Sequence, residues 1–438
     1  MDQRIFFTAD ALKATFDGHV TKSRAVGLDG VRLNHFSKSI DAELSIIEQK
    51  VFSSLYSFTG YREKLISRGA SKLPRQLSIP TVRDRLTLRS ICNCLSVLAP
   101  HAHAMPPHAH VKAIAKHVRG SDEPLSFLRM DVRDFFPTIN HELLTNALVK
   151  AGAEPFLVTL ILSAIRNPTA IRRSAKINTM GVPQGLSISN ILSAIYLSEF
   201  DAEQRKQGIY HRYVDDILVV APSQEINKRY VSLSTQLNGL LLKPHPLGVP
   251  GKTEEKRISE GVDYLGYRIS KDDIGIRASS YKKMFGNLLK VLTSFRFSKS
   301  TEKTLFKLNL RITGCFIDGR RRGWLMFFSQ TENLGQLARL DKFVVQQMTR
   351  LKLRAALGGQ ATFVRSYHEI RYFGEASRYI PNFDTYTRSE KAQTIALLTD
   401  RTLAEVEARN AEFIDEQFDK LIAREVSDLE ADVLAALS

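Results

Sequence analysis

His211-Arg-Tyr-Val-Asp-Asp-Ile-Leu-Val-Val220 is the stretch on which the fold turns. Residues 210–213 and 217–220 are short aromatic and β-branched runs. They predict two strands, with Val214-Asp215-Asp216 at the turn between them. Two adjacent carboxylates repel each other unless a cation neutralises them. Two aspartates fixed at a strand turn therefore suit a divalent metal with oxygen ligands. A polar hairpin tip, where Asp is common, is the plainer reading of the pair taken alone.

The surrounding sequence supplies what the pair lacks. Leu125-Ser-Phe-Leu-Arg-Met-Asp131 predicts a buried strand ending at a carboxylate. Pro137 bars a regular central strand beyond it, and Asn140 is the expected N-cap of the next helix. Asp131 and Asp215 lie 84 residues apart, room for helices that lay the two strands side by side in a split β-α-β-β unit. Both carboxylates would then meet at one sheet edge. Such a pair can hold two Mg²⁺ ions about 3.5–4 Å apart, the spacing used for in-line phosphoryl displacement. One ion would activate a 3′-hydroxyl and the other would neutralise a leaving pyrophosphate. Between the two carboxylates, Gly181-Val-Pro-Gln-Gly-Leu-Ser-Ile-Ser-Asn190 predicts a loop entering a helix over 191–200.

Composition agrees with a polyanionic partner. Of 438 residues, 62 are Lys or Arg and 46 Asp or Glu, a net charge of +16, which fits nucleic acid. Residues 386–438 hold 12 acidic and 6 basic side chains, a net of −6, leaving +22 on residues 1–385. The body and the end of the chain should do different jobs. Cys92, Cys94 and Cys315 form neither a disulfide framework nor a zinc spacing, so a reduced, cytoplasmic chain is expected. No apolar run is long enough to span a bilayer, and no leader is evident at the N-terminus.

Elsewhere, residues 1–60 predict helices with a loop at 22–30. A basic hairpin follows, with strands at 65–66 and 76–79 and with Lys64, Arg68, Lys72 and Arg75 crowded on it. A helix starts at residue 81. His101, His103, His108 and His110 surround Pro106-Pro107 without a zinc spacing, so a loop is expected there, ahead of a helix at 111–118. Residues 223–241 predict a helix, 243–256 a loop, and Tyr264-Leu-Gly-Tyr267 a turn between two strands. Helices are predicted at 281–297, 301–310 and 334–351. A polar helical tail over 385–438 carries apolar positions at Leu403, Val406, Phe413, Phe418, Leu421 and Ile422, fit to pack on the body or on another subunit. Arg320, Arg321 and Arg322 adjoin Trp324, Phe327 and Phe328. This basic and aromatic mixture suits nucleic acid, or else a core with solvated arginines.

Six of these motifs, in this order, resemble reverse transcriptases. Tyr213-Val-Asp-Asp216 resembles the catalytic signature, Phe127-Leu-Arg-Met-Asp-Val-Arg-Asp-Phe-Phe136 the first palm motif, and Gly181–Asn190 the second. Gly251-Lys-Thr-Glu-Glu-Lys256 resembles the lysine-bearing loop, though residues 243–250 are longer and richer in proline than the pattern. Tyr264-Leu-Gly-Tyr267 resembles the primer grip. Gly27-Leu-Asp-Gly30 and Arg75-Gln-Leu-Ser-Ile-Pro-Thr-Val-Arg-Asp-Arg85 resemble the fingers of group II intron-like bacterial enzymes.

The resemblance implies an α+β right-hand polymerase fold: fingers, a ferredoxin-like palm, a helical thumb and a helical C-terminal extension. The expected divisions are 1–95, N-terminal helices and fingers; 96–144, first palm part; 145–185, second fingers part; 186–275, second palm part; 276–352, thumb; and 353–438, extension. It further implies that Asp131 and Asp215, with the carbonyl of Val132, bind two Mg²⁺ ions (Mn²⁺ being the alternative metal), Asp216 contacting them less directly. Phe136 would be the steric gate against a ribose 2′-hydroxyl, with Phe135 in the core. Gln184, Arg75, Lys72 and Tyr213 would line the dNTP and primer-terminus pocket, and Lys252 would be a general acid for pyrophosphate. Tyr264, Leu265, Gly266, Arg320, Arg321 and Arg322 would contact primer and template.

The implied partners are an RNA template, a dedicated non-coding RNA included, the DNA product, and a homo- or hetero-oligomer formed through the C-terminal helices, with no membrane. No maturase or endonuclease signature follows the thumb, and no retron marks are evident. By elimination the stand-alone defence-associated (antiphage) group is the expected branch. Retron or intron-type enzymes, an RNA-templated RNA polymerase and a non-catalytic scaffold are the alternatives.

Overall fold

The computed structural model describes residues 2–21, 23, 25–66, 73–102, 105–120, 124–170, 176–353, 356, 358–399 and 401–437. Two units divide the chain, Met1–Met105 with Leu128–Glu255, and Pro106–Phe127 with Lys256–Ser438.

Seven strands build the sheets of the first unit. In chain order they are β1 (Tyr61–Ile66), β2 (Arg75–Ile79), β3 (Leu125–Asp131), β4 (Thr169–Ala170), β5 (Ile209–Tyr213), β6 (Asp216–Pro222) and β7 (Glu254–Arg257). Along the chain, β3 and β7 run across the border between the units. One sheet has the order β2-β1-β4 and the other β5-β6-β3-β7. In the second, β3 is buried along its length up to Asp131, as a central strand with both faces covered should be. Its neighbour β6 is apolar from Ile217 to Ala221 and equally buried. Helices His141–Lys150, Ser189–Tyr196 and Ile226–Gly239 supply Leu144, Leu192, Ile195 and Leu233 to the core shared with Met130, Ile217 and Val219.

The hairpin is tighter than the sequence predicts. Asp216 already belongs to β6 and pairs with Tyr213, leaving only Val214 and Asp215 in the loop. A two-residue loop needs positive φ, and Val214 takes it at 58°. For a β-branched residue that conformation is strained.

Two other expectations are corrected. The helix expected over 191–200 is broken at Leu197 (φ −98°, ψ 7°) into Ser189–Tyr196 and Ser198–Lys206. The helix expected from residue 111 begins at Pro107 and runs to Arg119, so His108 and His110 are helical. Proline is at home in the first turn, where its missing N–H leaves no bond unmade. Asn140 caps its helix as expected, accepting from the N–H of Glu142 and of Leu143. The three cysteines are free thiols. No helix among the described residues is long and apolar enough to cross a membrane.

The second unit contains β8 (Val262–Tyr264), β9 (Tyr267–Ile269) and β10 (Ile274–Ile276) as one sheet, and the hairpin of β11 (Cys315–Ile317) and β12 (Arg320–Arg322). The rest is helical, including Ala278–Ser298, Thr301–Thr313, Leu334–Arg350 and Phe363–Tyr372. The acidic tail packs on this unit. Val406, Ile414, Phe418, Ile422, Val426 and Leu429 share a core with Leu310 and Cys315. Three of its carboxylates meet body cations: Glu425 with Lys307 at 2.8 Å, Asp432 with Arg311 at 2.8 Å, and Glu430 with Arg322. Ile414 takes the buried place expected for Phe413, and Leu403 stays 38% exposed. The fold class is therefore α+β with a helical C-terminal region.

Candidate active site

Strand β3 ends where the β5–β6 turn begins. The N–H of Val132 donates to the carbonyl of Asp215 at 3.2 Å, which brings Asp131 and Asp215 to one edge of the sheet. Burial, and then the charge of Asp131, push the Asp215 carboxyl up to about 6; Asp216 adds to this and Lys252 opposes it. Both carboxylates are half-buried, and a like charge close by disfavours the ionised form unless a cation balances it.

Asp216 faces elsewhere. Its Oδ1 and Oδ2 accept from Arg129 Nε and Nη2, both at 2.9 Å. Arg129 is 8% exposed. Burial opposes its charge, but the carboxylates of Asp216 first, then Glu254 and Asp131, together outweigh that and hold the guanidinium above its ordinary value. Asp216, expected to contact the metals less directly than Asp131 and Asp215, is engaged with this cation of the central strand. Consistent with this, no group of three His, Cys, Asp or Glu side chains converges as a metal site among the described residues. The remaining donors, two carboxylates and a backbone carbonyl, still fit Mg²⁺ or Mn²⁺. Magnesium is commonly held by one or two carboxylates, with substrate phosphates and water completing its shell.

The loop after the helix Ile226–Gly239 closes over Asp131. The His245 N–H donates to the Asp131 carbonyl at 2.9 Å, and Arg133 N–H to Lys243 O at 2.9 Å. Lys252 Nζ lies 2.9 Å from Asp131 Oδ2, and His245 Nε2 3.5 Å from Oδ1. Burial lowers the His245 imidazole; Asp131 opposes this, and Lys252 and Arg133 reinforce it.

Under the turn lies a second buried ion pair. Arg212 donates from Nε to Asp201 Oδ1 at 2.8 Å and from Nη2 to Oδ2 at 2.5 Å, while its Nη1 reaches the Val214 carbonyl at 2.8 Å. Tyr210 Oη donates to Asp201 Oδ1 at 2.7 Å. The strained turn is thus tied to the helix Ser198–Lys206.

A pocket wall adjoins the carboxylates in sequence. Phe135 is buried and Phe136 half-buried, their rings 5.5 Å apart. The Phe136 carbonyl accepts from Val182 N–H, and the Ile139 carbonyl from Gly181 N–H, both at 2.8 Å. A Cβ on Gly181 (φ +82°) would lie 2.6 Å from Pro137 O. The Gln184 carbonyl accepts from Ser78 N–H at 2.7 Å, docking the loop on β2. A Cβ on Gly185 (φ +102°) would lie 2.9 Å from Ser78 O. Arg75 is exposed at the start of β2, three residues from Ser78. Tyr213 is half-buried beside the turn.

The geometry therefore gathers Asp131, Val132, Tyr213, Asp215, Asp216 and Lys252, and it clamps Phe136 to the Gln184 loop and that loop to the strand of Arg75. Lys72 falls outside the described residues. The other expected contacts belong to the second unit. Tyr264 is fully buried, and Leu265 (φ 49°) and Gly266 (φ 83°) form a buried tight turn. Arg320 and Arg321 are exposed, while Arg322 is half-buried on Glu430. Sequence reasoning missed Arg129, Asp201, Arg212 and His245. An arginine inside an otherwise apolar strand was the available signal for Arg129.

Residues 67–269, just under half of the chain, match the family described as Reverse transcriptase (RNA-dependent DNA polymerase). The chain carries a reverse transcriptase domain. This domain spans β2 through β9, and so includes Asp131, the Gln184 loop and the Asp215 turn. Among curated proteins, the chain is 26% identical over 199 residues to Protein YkfC of Escherichia coli (strain K12), covering 43% of this chain and 51% of that one. The chain thus spans about half the length of that relative. Among solved structures, telomerase from Candida albicans in complex with a TWJ fragment of telomeric RNA aligns with a TM-score of 0.44 and 12% identity. That alignment covers 91% of this chain and 67% of that one. Apo telomerase from Candida tropicalis, truncated from its C-terminal domain, aligns at 0.40 and 14%, covering 50% and 55%. At these scores the structural likenesses carry no functional weight.

Proposed function

We propose that the chain is an RNA-directed DNA polymerase that extends a primer 3′-hydroxyl with dNTPs. The observation that carries this reading is the meeting of Asp131 and Asp215 at one sheet edge inside a reverse transcriptase domain. Bound Mg²⁺, or Mn²⁺, would supply activation of the 3′-hydroxyl and neutralisation of the leaving pyrophosphate. Asp131, Asp215 and the Val132 carbonyl would hold the metal. Arg129 and Asp216 keep the hairpin seated on β3, and Arg212 fixes the turn carbonyl. Lys252, whose Nζ lies at the Asp131 carboxylate, would give a proton or a charge to the pyrophosphate. The Phe136 ring would exclude a ribose 2′-hydroxyl, and Gln184, Arg75, Lys72 and Tyr213 would bind nucleotide and primer end. On the second unit, the backbone turn at Tyr264, Leu265 and Gly266 and the arginines of β12 would hold primer and template.

The finer placement, a stand-alone antiphage enzyme using a dedicated non-coding RNA in the cytoplasm, rests on the motif resemblance alone. The test is extension of a primed RNA template by the purified chain with Mg²⁺ or Mn²⁺. The expected result is a dNTP-dependent product, abolished by chelation. Preference for rNTPs would point to an RNA polymerase. An Asp215→Ala chain that kept every activity would make it a scaffold. Sequencing of co-purifying nucleic acid, and a phage challenge of cells carrying the Asp215→Ala chain, test the finer placement.

A further inference from the structure

Helix Phe363–Tyr372 buries Phe363, Ser366, Tyr367 and Ile370 on one side. The opposite side follows the helical spacing Arg365, His368, Tyr372. Its chemistry is unusual for a solvent face. Arg365 stacks on Tyr379, with Cζ 4.1 Å from the ring centre. His368 and Tyr372 are stacked at 5.9 Å with planes 12° apart. Tyr372 is 70% exposed, and Phe373, the next residue, is 61% exposed. Two adjacent aromatic rings this open to water are rarely left without a partner.

Cations border these rings. A Cβ built on Gly374 would lie 3.6 Å from Arg321 Nη2, so the tip of β12 reaches the end of this helix. Arg320 and Arg321 are exposed and pair with no carboxylate among the described residues. Arg371 is exposed too and, among the described residues, hydrogen-bonds the Tyr367 hydroxyl at 2.7 Å. Glu375 and Asp318 are exposed acids near these cations in sequence. Asp384 is engaged with the N–H groups of Asp318 and Gly319 in the β11–β12 turn.

We propose that this face, with Tyr372 and Phe373 as its rings and Arg320, Arg321 and Arg371 as its phosphate contacts, is a stacking platform for an unpaired stretch of nucleic acid. Flat exposed rings accept any base, and flanking guanidinium groups follow the backbone. A protein partner would be met better by an apolar patch with a mixed-charge rim than by rings edged with arginine. The platform is formed outside the reverse transcriptase domain, since residues 363–373 lie beyond its match. The proposal requires no polymerase activity.

The test uses the full chain and a labelled 12-nucleotide single strand, made once as RNA and once as DNA, with a blunt duplex for comparison. A 4-thiouridine version of the RNA should crosslink to the peptide containing Tyr372 and Phe373. Tyr372→Ala and Phe373→Ala should each weaken single-strand binding by about five- to a hundredfold, with duplex binding unchanged and Tyr372→Trp restoring affinity. Preference for RNA over DNA would assign a 2′-hydroxyl contact within the platform, and equal binding would assign stacking alone. Parental affinity in both alanine variants, or crosslinks only elsewhere, would overturn the proposal. So would loss of chain–chain association alone, which would make the face a protein interface. Primer extension by the same variants, on a pre-annealed primer and template, separates this from the polymerase reading. That reading fails if the parent chain makes no product, whatever the platform binds.

Discussion

The three aspartates of the site do different physical work, and their variants should separate accordingly. Asp131→Asn and Asp215→Asn remove charge from the carboxylate pair and should cut primer extension by more than about a thousandfold, with little change in the urea unfolding midpoint. Asp216→Asn leaves Arg129 charged and unpaired inside the sheet. It should leave a trace of extension while lowering unfolding free energy by about 3 kcal/mol. A buried carboxyl far from the chemistry gives a pH signature. Burial pushes Asp84 up to about 6 against its ordinary value of 3.8, although Thr81, Tyr56 and Thr59 all donate to it. A pKa raised on folding means that the folded chain holds the proton more tightly between about pH 4 and 6. The contribution of Asp84 to stability therefore falls as pH rises through that window. The stability difference between the parent and Asp84→Asn should shrink by about 3 kcal/mol from pH 4 to pH 7.5, as read by urea unfolding at the two pH values.

At the scale of elements, the Arg212 clamp makes the hairpin and the helix Ser198–Lys206 one mechanical piece. Arg212→Ala should cost about 3–5 kcal/mol, because Asp201 stays buried without its cation. Exchanging both members for Met and Leu should recover most of that stability but not the rate, since the Val214 carbonyl is left without its donor; unfolding and single-turnover extension together check this. Gly181→Ala forces a methyl group against Pro137 O and should destabilise by about 1–3 kcal/mol. These elements differ in how legible they are in sequence. The strands at 125–131 and 217–220 follow from largely apolar runs, and the hairpin from its two arms. The cap at Asn140 is a local signal as well. The ion pairs were not legible, because Arg129 meets a residue 87 positions away and Asp201 looks like any acid on a polar helix face. The break at Leu197, which helps turn Asp201 inward, has no composition signal. The roles of Asp131, Gln184 and Phe136 came from motif order, not from periodicity, since spacing alone cannot say which strand ends meet.

At the scale of the whole chain, acidic charge is concentrated in residues 386–438 and basic charge in residues 1–385. The acidic tail is part of the second unit's core. Truncation before Thr387 should expose Leu310 and Cys315 and lower the unfolding midpoint, with aggregation seen by light scattering. Neutralising Arg320 and Arg321 together should lower the slope of log affinity against log salt by about two, one for each phosphate left without its guanidinium. The same tail has a kinetic consequence. Its carboxylates cancel Lys307, Arg311 and Arg322, so the attractive potential of this unit is weakened there and preserved at Arg320 and Arg321. On the proposed function, an incoming polyanion would be steered before any contact forms, and encounter would be focused toward one patch. The tail that completes this unit's core would also set the direction of approach.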